Sequence, residues 1–74
     1  MNKLPALSGK KVQSIFEKLG FVQVRQKGSH RMLRHPDGRR ALLAFHAGDE
    51  IYPGTLKKLL KRSNVDEEDF LDLL

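Results

Sequence analysis

Apolar residues near the start of the chain recur at the three- and four-residue intervals of one helix face. They are Val12, Ile15, Phe16 and Leu19. This spacing predicts an amphipathic helix. Ser8 is suited to cap its N-terminus, because a serine oxygen accepts a hydrogen bond from a free backbone N–H of the first turn. Gly20 is suited to end it, because a glycine adopts the left-handed conformation without a steric penalty.

The middle of the chain favours extended structure, in β-rich segments separated by polar turns. The segments cover residues 21–26, 30–35 and 40–45. A polar break at residues 27–29 separates the first two segments. Pro36-Asp37-Gly38 separates the last two and forms a turn, because Pro fixes φ and Gly accepts a positive φ. The wholly apolar residues 41–45 favour burial of the third strand on both faces, or at least no wide solvent-facing side.

Beyond this predicted sheet, residues 46–53 are expected to form a loop, with two helices after it. The first of these helices begins at Gly54. The second has Asp66 as its N-cap, and Val65 and Phe70 are placed to form a hydrophobic staple across its start.

The order α-β-β-β-α, with a short acidic helix appended, predicts an α+β fold. Three antiparallel strands can bury one face under the helices and leave the other face open. This layout resembles the double-stranded-RNA-binding fold. We expect residues 1–74 to form a single domain. Its predicted core comprises Val12, Ile15, Phe16, Leu19, Phe21, Val24, Leu56, Leu59 and Leu60.

Charge is divided unevenly along the chain. All 14 Lys and Arg lie within residues 1–65, against four acids, whereas residues 66–74 carry five acids and no base. A basic body on a small domain favours a polyanionic partner, usually nucleic acid, because neutralised phosphates release their counterions.

Other residue counts narrow the class of protein. Cys is absent, which excludes disulfides, zinc ribbons and Cys nucleophiles. The longest apolar run has five residues, 41–45, whereas a membrane span needs roughly 20. The first residues lack the apolar segment of a signal peptide. We therefore expect a cytoplasmic protein without a membrane association and without a cofactor.

The candidate chemistry lies in a run of basic residues on the predicted strands and their connections. The run consists of Arg25, Lys27, Arg31, Arg34, Arg39 and Arg40. His30 and His35 lie within it. Because strand side chains alternate, His30 shares a face with Met32 and Arg34, whereas His35 points the other way. The two histidines are poor co-ligands for one metal ion, and no nearby pair of acids suits a two-metal nuclease. We expect no metal site.

A metal-free route to phosphodiester cleavage fits these residues, because RNA supplies its own nucleophile, the 2′-OH. Histidine can act as a general base or acid near neutral pH, and flanking cations can stabilise the charge that develops on the phosphate. His30 follows Gly28 and Ser29, where a glycine lets a phosphate approach the backbone closely. The same two residues equally suit a hairpin turn.

Several short motifs occur in order along the chain. They are Gly20-Phe21, Lys27-Gly28-Ser29-His30, His35-Pro36-Asp37-Gly38-Arg39, His46, and Gly54-Thr55-Leu56 with Leu59-Leu60. Together they resemble the HicA family of bacterial toxins, from about Leu4 through Leu74. The resemblance implies a double-stranded-RNA-binding-like fold, metal-independent cleavage of mRNA, and neutralisation by a HicB-like antitoxin. It places the catalytic histidine at His30. Ala44 stands where the family commonly has Pro, and we expect this change to loosen the end of the third strand.

The function we expect is therefore that of an endoribonuclease toxin, with His30 as general acid or base. The expected RNA-binding residues are Lys27, Gly28, Ser29, Arg31, Arg34, Arg39 and Arg40. One alternative is a non-catalytic RNA-binding module of the same fold. Another is a domain that binds DNA or docks on an acidic protein.

Three smaller features keep two interpretations each. His35 and His46 serve either in turn packing or as minor RNA contacts. The Lys57-Lys58 and Lys61-Arg62 pairs either follow an RNA backbone or balance the negative end of their own helix. The acidic C-terminal helix either packs on the basic body or docks on the antitoxin.

Overall fold

The computed structural model describes residues 4–74 and confirms the α+β fold. In chain order the elements are β1 (Leu7–Ser8), α1 (Gly9–Lys18), β2 (Val22–Lys27), β3 (His30–Arg34), β4 (Arg40–Ala44), β5 (Glu50–Ile51), α2 (Pro53–Arg62) and α3 (Glu67–Leu71). The main sheet is antiparallel, with strand order β2-β3-β4. β1 and β5 form a separate two-stranded ladder.

Helix α1 begins and ends as its sequence predicts. The Ser8 hydroxyl accepts a hydrogen bond from the Lys11 backbone N–H at 3.1 Å, which satisfies one of the free donors of the first turn. Gly20 follows the helix with φ +106°. Its position is doubly restricted, because a Cβ there would lie 2.7 Å from Nε2 of His35. The chain turn after α1 therefore requires glycine both for its backbone and for space.

Strands β2 and β3 pair in a register that is interrupted by a bulge at Val24. Gln23 pairs with Leu33 and Arg25 pairs with Met32, so Val24 has no partner on β3. The prediction that Val24 belongs to the core is wrong: its side chain is 53% exposed. An extra residue in one strand shifts the alternation of the residues around it, which the simple two-residue pattern does not anticipate.

Strand β4 is buried on one face alone. Ala41 and Leu43 are buried, whereas Leu42 is 55% exposed and Ala44 is exposed. The expectation that this apolar strand has no wide solvent-facing side is therefore wrong. Successive side chains point to opposite faces of a sheet, and the helical core covers one of them.

The β1–β5 ladder was not predicted, and β5 lies within residues 46–53, which the sequence assigned to a loop. Leu7 pairs with Ile51, and the Gly9 backbone N–H donates to the Asp49 carbonyl oxygen at 3.1 Å. Gly9 also packs directly against the ring of Phe45. The ladder thus fixes the start of α1 to the segment that leads into α2.

The core is built around aromatic contacts that include the last helix. Phe16 lies edge-on to Phe21 and to Phe70, with centroid distances of 5.1 and 6.1 Å. Phe70 is fully buried, and the Asp66 carboxylate caps α3 by accepting from the Glu68 N–H at 2.8 Å. The acidic helix therefore packs on its own chain. Of the other residues expected in the core, Leu19 and Leu59 are partly buried against it and the remaining six are buried.

We expect Gly20→Ala to destabilise the fold more than Gly38→Ala. Gly38 has a similar φ, +100°, but no described atom lies within 4 Å of a Cβ built there. The backbone penalty of about 1 kcal/mol applies to both variants. The contact with His35 should add at least about 1 kcal/mol to the first. Urea unfolding of both variants checks this difference, and equal losses of free energy would contradict the role of His35.

Candidate functional site

His30 is the first residue of β3 and directly follows a tight hairpin turn. Lys27 and His30 pair across the two strands, so the loop between them has two residues, Gly28 and Ser29. Gly28 has φ +59° and Ser29 does not have a positive φ, which is the pattern of a type II′ turn. The Ser29 carbonyl oxygen accepts from the Phe45 N–H at 3.1 Å, which ties the turn to the end of β4.

The side chain of His30 is exposed on the open face of the main sheet. We call this surface the outer face, and its residues include His30, Met32, Arg34, Arg40 and Leu42. Their common side follows from the register, in which Met32 pairs with Leu42 and Arg34 pairs with Arg40. The sequence-based assignment of His30, Met32 and Arg34 to one face agrees with this register.

Cations lie at two distances from His30 on this face. Lys27 is its direct cross-strand neighbour on β2, and such neighbours have Cβ atoms about 5 Å apart. Arg34 lies four residues farther along β3, or roughly 13 Å at the rise of a strand. Its cross-strand partner Arg40 lies at the same level. One phosphate bound at His30 therefore has Lys27 beside it, whereas Arg34 and Arg40 are placed for a different phosphate.

Arg31 lies on the opposite face of the sheet from His30. Its Nη1 donates to the Phe45 carbonyl oxygen at 3.2 Å, and its guanidinium carbon lies 4.0 Å from the centre of the Phe45 ring. A partly buried cation over an aromatic ring is held by electrostatic attraction and by packing of its stem. The structure therefore places Arg31 in a contact with its own chain.

Arg39 is likewise held by intramolecular contacts. Its Nε donates to the Asp37 carboxylate at 2.8 Å, and its Nη1 donates to the Asn64 carbonyl oxygen at 3.1 Å. Its guanidinium carbon also lies 5.3 Å from the centre of the Phe21 ring. These contacts join the β3–β4 turn to the segment between α2 and α3.

His35 packs inside the turn region. This agrees with the first of the two interpretations that the sequence allowed, turn packing. Its ring lies edge-on to Phe21 at 5.1 Å, and its Nε2 is 3.0 Å from the Leu19 carbonyl oxygen. The Asp37 backbone N–H donates to Nδ1 at 3.1 Å. An oxygen of the Asp37 carboxylate lies 3.0 Å from the same Nδ1, so the ring contacts both the end of α1 and the β3–β4 turn.

Asp37 is the electrostatic centre of this turn. The Arg39 backbone N–H donates to its carboxylate at 3.0 Å, and this hydrogen bond is the main reason that the pKa of Asp37 is lowered from its ordinary value of 3.8. The Arg39 side chain and the charge of His35 act in the same direction, and desolvation opposes them. The negative charge of Asp37 is therefore favoured in the folded chain.

Ala44 and His46 lie near the other end of β4. Ala44 is its last residue and pairs with His30. The pairing of β4 with β3 therefore continues to the end of β4. His46 is exposed in the following loop, where its backbone N–H donates to the Asp49 carboxylate at 3.1 Å.

A groove of about 490 Å³ runs between α2 and strand β4, and His30 is part of its wall. We call it the α2 groove. Its sheet side includes His30, Met32 and Leu42, and its helix side includes Lys58 and Arg62. No carboxylate occurs among the described residues that line it. Lys58 and Arg62 were among the residues for which the sequence left an RNA contact open, and their four-residue spacing places them on one side of α2.

The arrangement is suited to proton transfer next to a bound anion. An exposed imidazole can give or take a proton from a ligand in the groove, and the surrounding cations favour a negatively charged one. Within residues 4–74, no group of three or more His, Cys, Asp or Glu could hold a metal ion. None of the helices in this part of the chain is long and apolar enough to cross a membrane.

Comparison with known proteins identifies one related family. The family model for the HicA toxin of bacterial toxin-antitoxin systems matches residues 9–65. The match begins with α1 and includes the main sheet, the His30 hairpin and α2. Among curated proteins, no match is found.

Acid should weaken the fold partly through Asp37. Because its pKa is lower in the folded chain, the unfolded chain binds more protons between the folded and unfolded pKa values. The stabilisation is complete above about pH 4 and is lost as pH falls through the folded pKa. We therefore expect Asp37→Asn to lose less unfolding free energy than wild type between about pH 6 and about pH 3. Asp72→Asn, which removes one exposed carboxylate from α3's end, is the charge-matched control, and identical pH profiles for the two variants would refute this expectation.

Proposed function

The chain belongs to the HicA toxin family, and from this membership and the site geometry we propose that it is a metal-independent endoribonuclease that cleaves mRNA. Membership itself indicates a toxin of a toxin–antitoxin system, in a family known for ribonuclease-type toxins, and implies a cognate antitoxin. We further propose that residues 1–74 act as one catalytic domain in the cytoplasm, and that the antitoxin is HicB-like.

The proposed reaction uses the RNA 2′-OH as nucleophile. The 2′-oxygen attacks the adjacent phosphorus, and the bond from phosphorus to the 5′-oxygen of the next nucleotide breaks. His30 either takes the proton from the 2′-OH or gives one to the leaving 5′-oxygen. The products are a 2′,3′-cyclic phosphate, or the 3′-phosphate formed by its hydrolysis, and a fragment with a 5′-OH.

The observation that carries this proposal is the exposure of His30 in the wall of the α2 groove, with Lys27 directly across from it. A residue on a paired strand has a better-defined backbone position than one on a loop. The ammonium of Lys27 can stabilise the extra negative charge that the phosphate acquires during attack.

The other proposed RNA contacts divide by face. Arg34 and Arg40 are proposed to bind a flanking phosphate, and the backbone of Gly28 and Ser29 to admit the phosphate at His30. We leave out Arg31 and Arg39, because both guanidinium groups are held by their own chain.

Substitution of His30 should abolish cleavage without unfolding the protein. Loss of a general acid or base typically lowers the rate about 100-fold or more. Purified wild type should therefore cleave RNA in excess EDTA, and His30→Ala and His30→Gln should not. His46→Gln, a change of the same type at another exposed histidine, should leave the rate within about threefold.

The same assay separates the competing functions. Circular dichroism of each variant excludes unfolding as the cause of a lost activity. Full cleavage by His30→Ala would refute the proposed role, and a 5′-phosphate product would refute the mechanism. If wild type binds RNA without cleaving it, the protein is a non-catalytic RNA-binding module.

Removing the proposed phosphate contacts should reduce the salt dependence of RNA binding. We expect the triple variant Lys27→Gln, Arg34→Gln and Arg40→Gln to lower the slope of log K against log salt by about 2, since each contact to a single strand contributes about 0.7. A fully 2′-O-methylated RNA, which cannot be cleaved by its own 2′-OH, serves as the ligand. The control removes three exposed lysines of α1, Lys10, Lys11 and Lys18, and should keep the wild-type slope. Equal slopes for the two triple variants would contradict the assignment.

A further inference from the structure

We propose that the α2 groove binds an unpaired RNA strand, with a base on the apolar part of its lining that includes Met32 and Leu42 and with phosphate bound by Lys58 and Arg62. This inference rests on the proposed ribonuclease function and specifies its substrate as RNA that is single-stranded at the cleavage position. It also assigns substrate binding to two residues of α2.

The size and position of the groove suit a part of a nucleic-acid strand. Its volume of about 490 Å³ lies within the roughly 300–1,000 Å³ of sites that enclose small ligands. It runs between a helix and a strand, and is therefore concave rather than flat. His30 is part of its wall, so whatever occupies the groove lies next to the proposed catalytic group.

The lining of the groove includes apolar side chains that are open to solvent. Leu42 is 55% exposed and Met32, its cross-strand partner, is partly exposed. In a duplex the bases are stacked inside and present edges and phosphates to a protein. An unpaired base offers its flat surface, and its burial against exposed Met and Leu side chains removes apolar area from water.

The basic residues of α2 are divided between two surfaces. Lys58 and Arg62 line the α2 groove, whereas Lys57 and Lys61 line a separate depression with Glu67. The two interpretations of this helix that the sequence left open therefore apply to different residues. Lys58 and Arg62 face the site, and Lys57 and Lys61 do not.

Charge complementarity favours RNA as the occupant. The groove combines Lys58, Arg62, Arg40 and His30, and no described lining residue carries a negative charge. A polyanion is therefore attracted along its whole length. An acidic protein segment would satisfy the same charges. We take RNA as the occupant, because under the proposed function His30 at the wall of the groove acts on a 2′-OH next to a phosphate.

Paired charge variants of α2 test this proposal. The double variant Lys58→Gln and Arg62→Gln is compared with Lys57→Gln and Lys61→Gln, which removes the same charge from the same helix. The ligands are a fully 2′-O-methylated ten-nucleotide RNA as a single strand, and the same RNA annealed to its complement. All substituted side chains are exposed, so each variant should fold.

We expect the groove-side double variant to raise the Kd for the single strand about tenfold or more, and the control double variant to raise it less than about threefold. Wild type should bind the single strand at least about tenfold more tightly than the duplex. Leu42→Ser should weaken single-strand binding about fivefold or more with an unchanged salt slope. Val22→Ser, at an equally exposed valine of β2, should not.

Three results would overturn the proposal. They are equal effects of the two double variants, tighter binding of the duplex than of the single strand, and wild-type RNA affinity in the groove-side variant. If the Lys58→Gln and Arg62→Gln double variant keeps its RNA affinity but loses affinity for an acidic peptide, the groove is a protein-docking surface.

The cleavage assay keeps this proposal distinct from the proposed function. If wild type cleaves RNA and Lys58→Gln with Arg62→Gln cleaves it with an unchanged KM, this inference fails and the ribonuclease stands. If the single strand binds as expected but wild type does not cleave it, the ribonuclease fails and the groove assignment stands.

Discussion

The packing of Leu33, Ala41 and Leu43 beneath the helices fixes the register of the main sheet, and the site depends on that register. Because strand side chains alternate, a slip of one residue would exchange the two faces completely. His30 and Arg34 are on the outer face because Leu33 between them is fully buried. The apolar core thus determines that His30, the proposed catalytic residue, lies on the solvent-exposed face of the sheet.

The cations of this chain serve two purposes that charge alone does not distinguish. Arg31 and Arg39 fasten the sheet to Phe45 and to the segment after α2, whereas Lys27, Arg34 and Arg40 are exposed on its other side or edge. The first two lie over aromatic rings and donate to backbone carbonyls. In a basic sequence of this kind, structural and ligand-facing residues are neighbours along the chain. They lie on opposite faces of the sheet, because successive side chains of a strand alternate.

Much of the fold could be predicted because its signals are local. The apolar spacing of α1, the Ser8 cap and the turn at Pro36 all appear in short stretches of sequence, and the structure confirms them. β1 and β5 could not be predicted, since strands of two residues carry no alternation and form only when distant segments meet. The errors at Val24 and in β4 have a similar origin, because an apolar residue does not reveal which face of a sheet is covered or where a bulge lies.

For the candidate site, too, the sequence predicted the local features but not the contacts between distant segments. Alternation places His30 and Arg34 on one face, and the Gly28-Ser29 turn beside them. It does not reveal that the Arg31 side chain packs on Phe45. Nor does it reveal that Lys58 and Arg62 of α2 line the same groove as His30. Those relations depend on tertiary packing between segments more than ten residues apart.

The bulge at Val24 has a consequence for how copies of this chain behave at high concentration. In the described part of the chain, β2 has one strand neighbour, β3, so its other side presents unpaired backbone groups. Straight edges of this kind recruit further strands and lead to aggregation, whereas bulged and positively charged ones do not. The bulge at Val24, together with the nearby Arg25 and Lys27, makes this edge a poor template for a further strand. The same bulge that exposes Val24 therefore makes β2 less prone to pair with a strand of another copy, which opposes aggregation of this small domain.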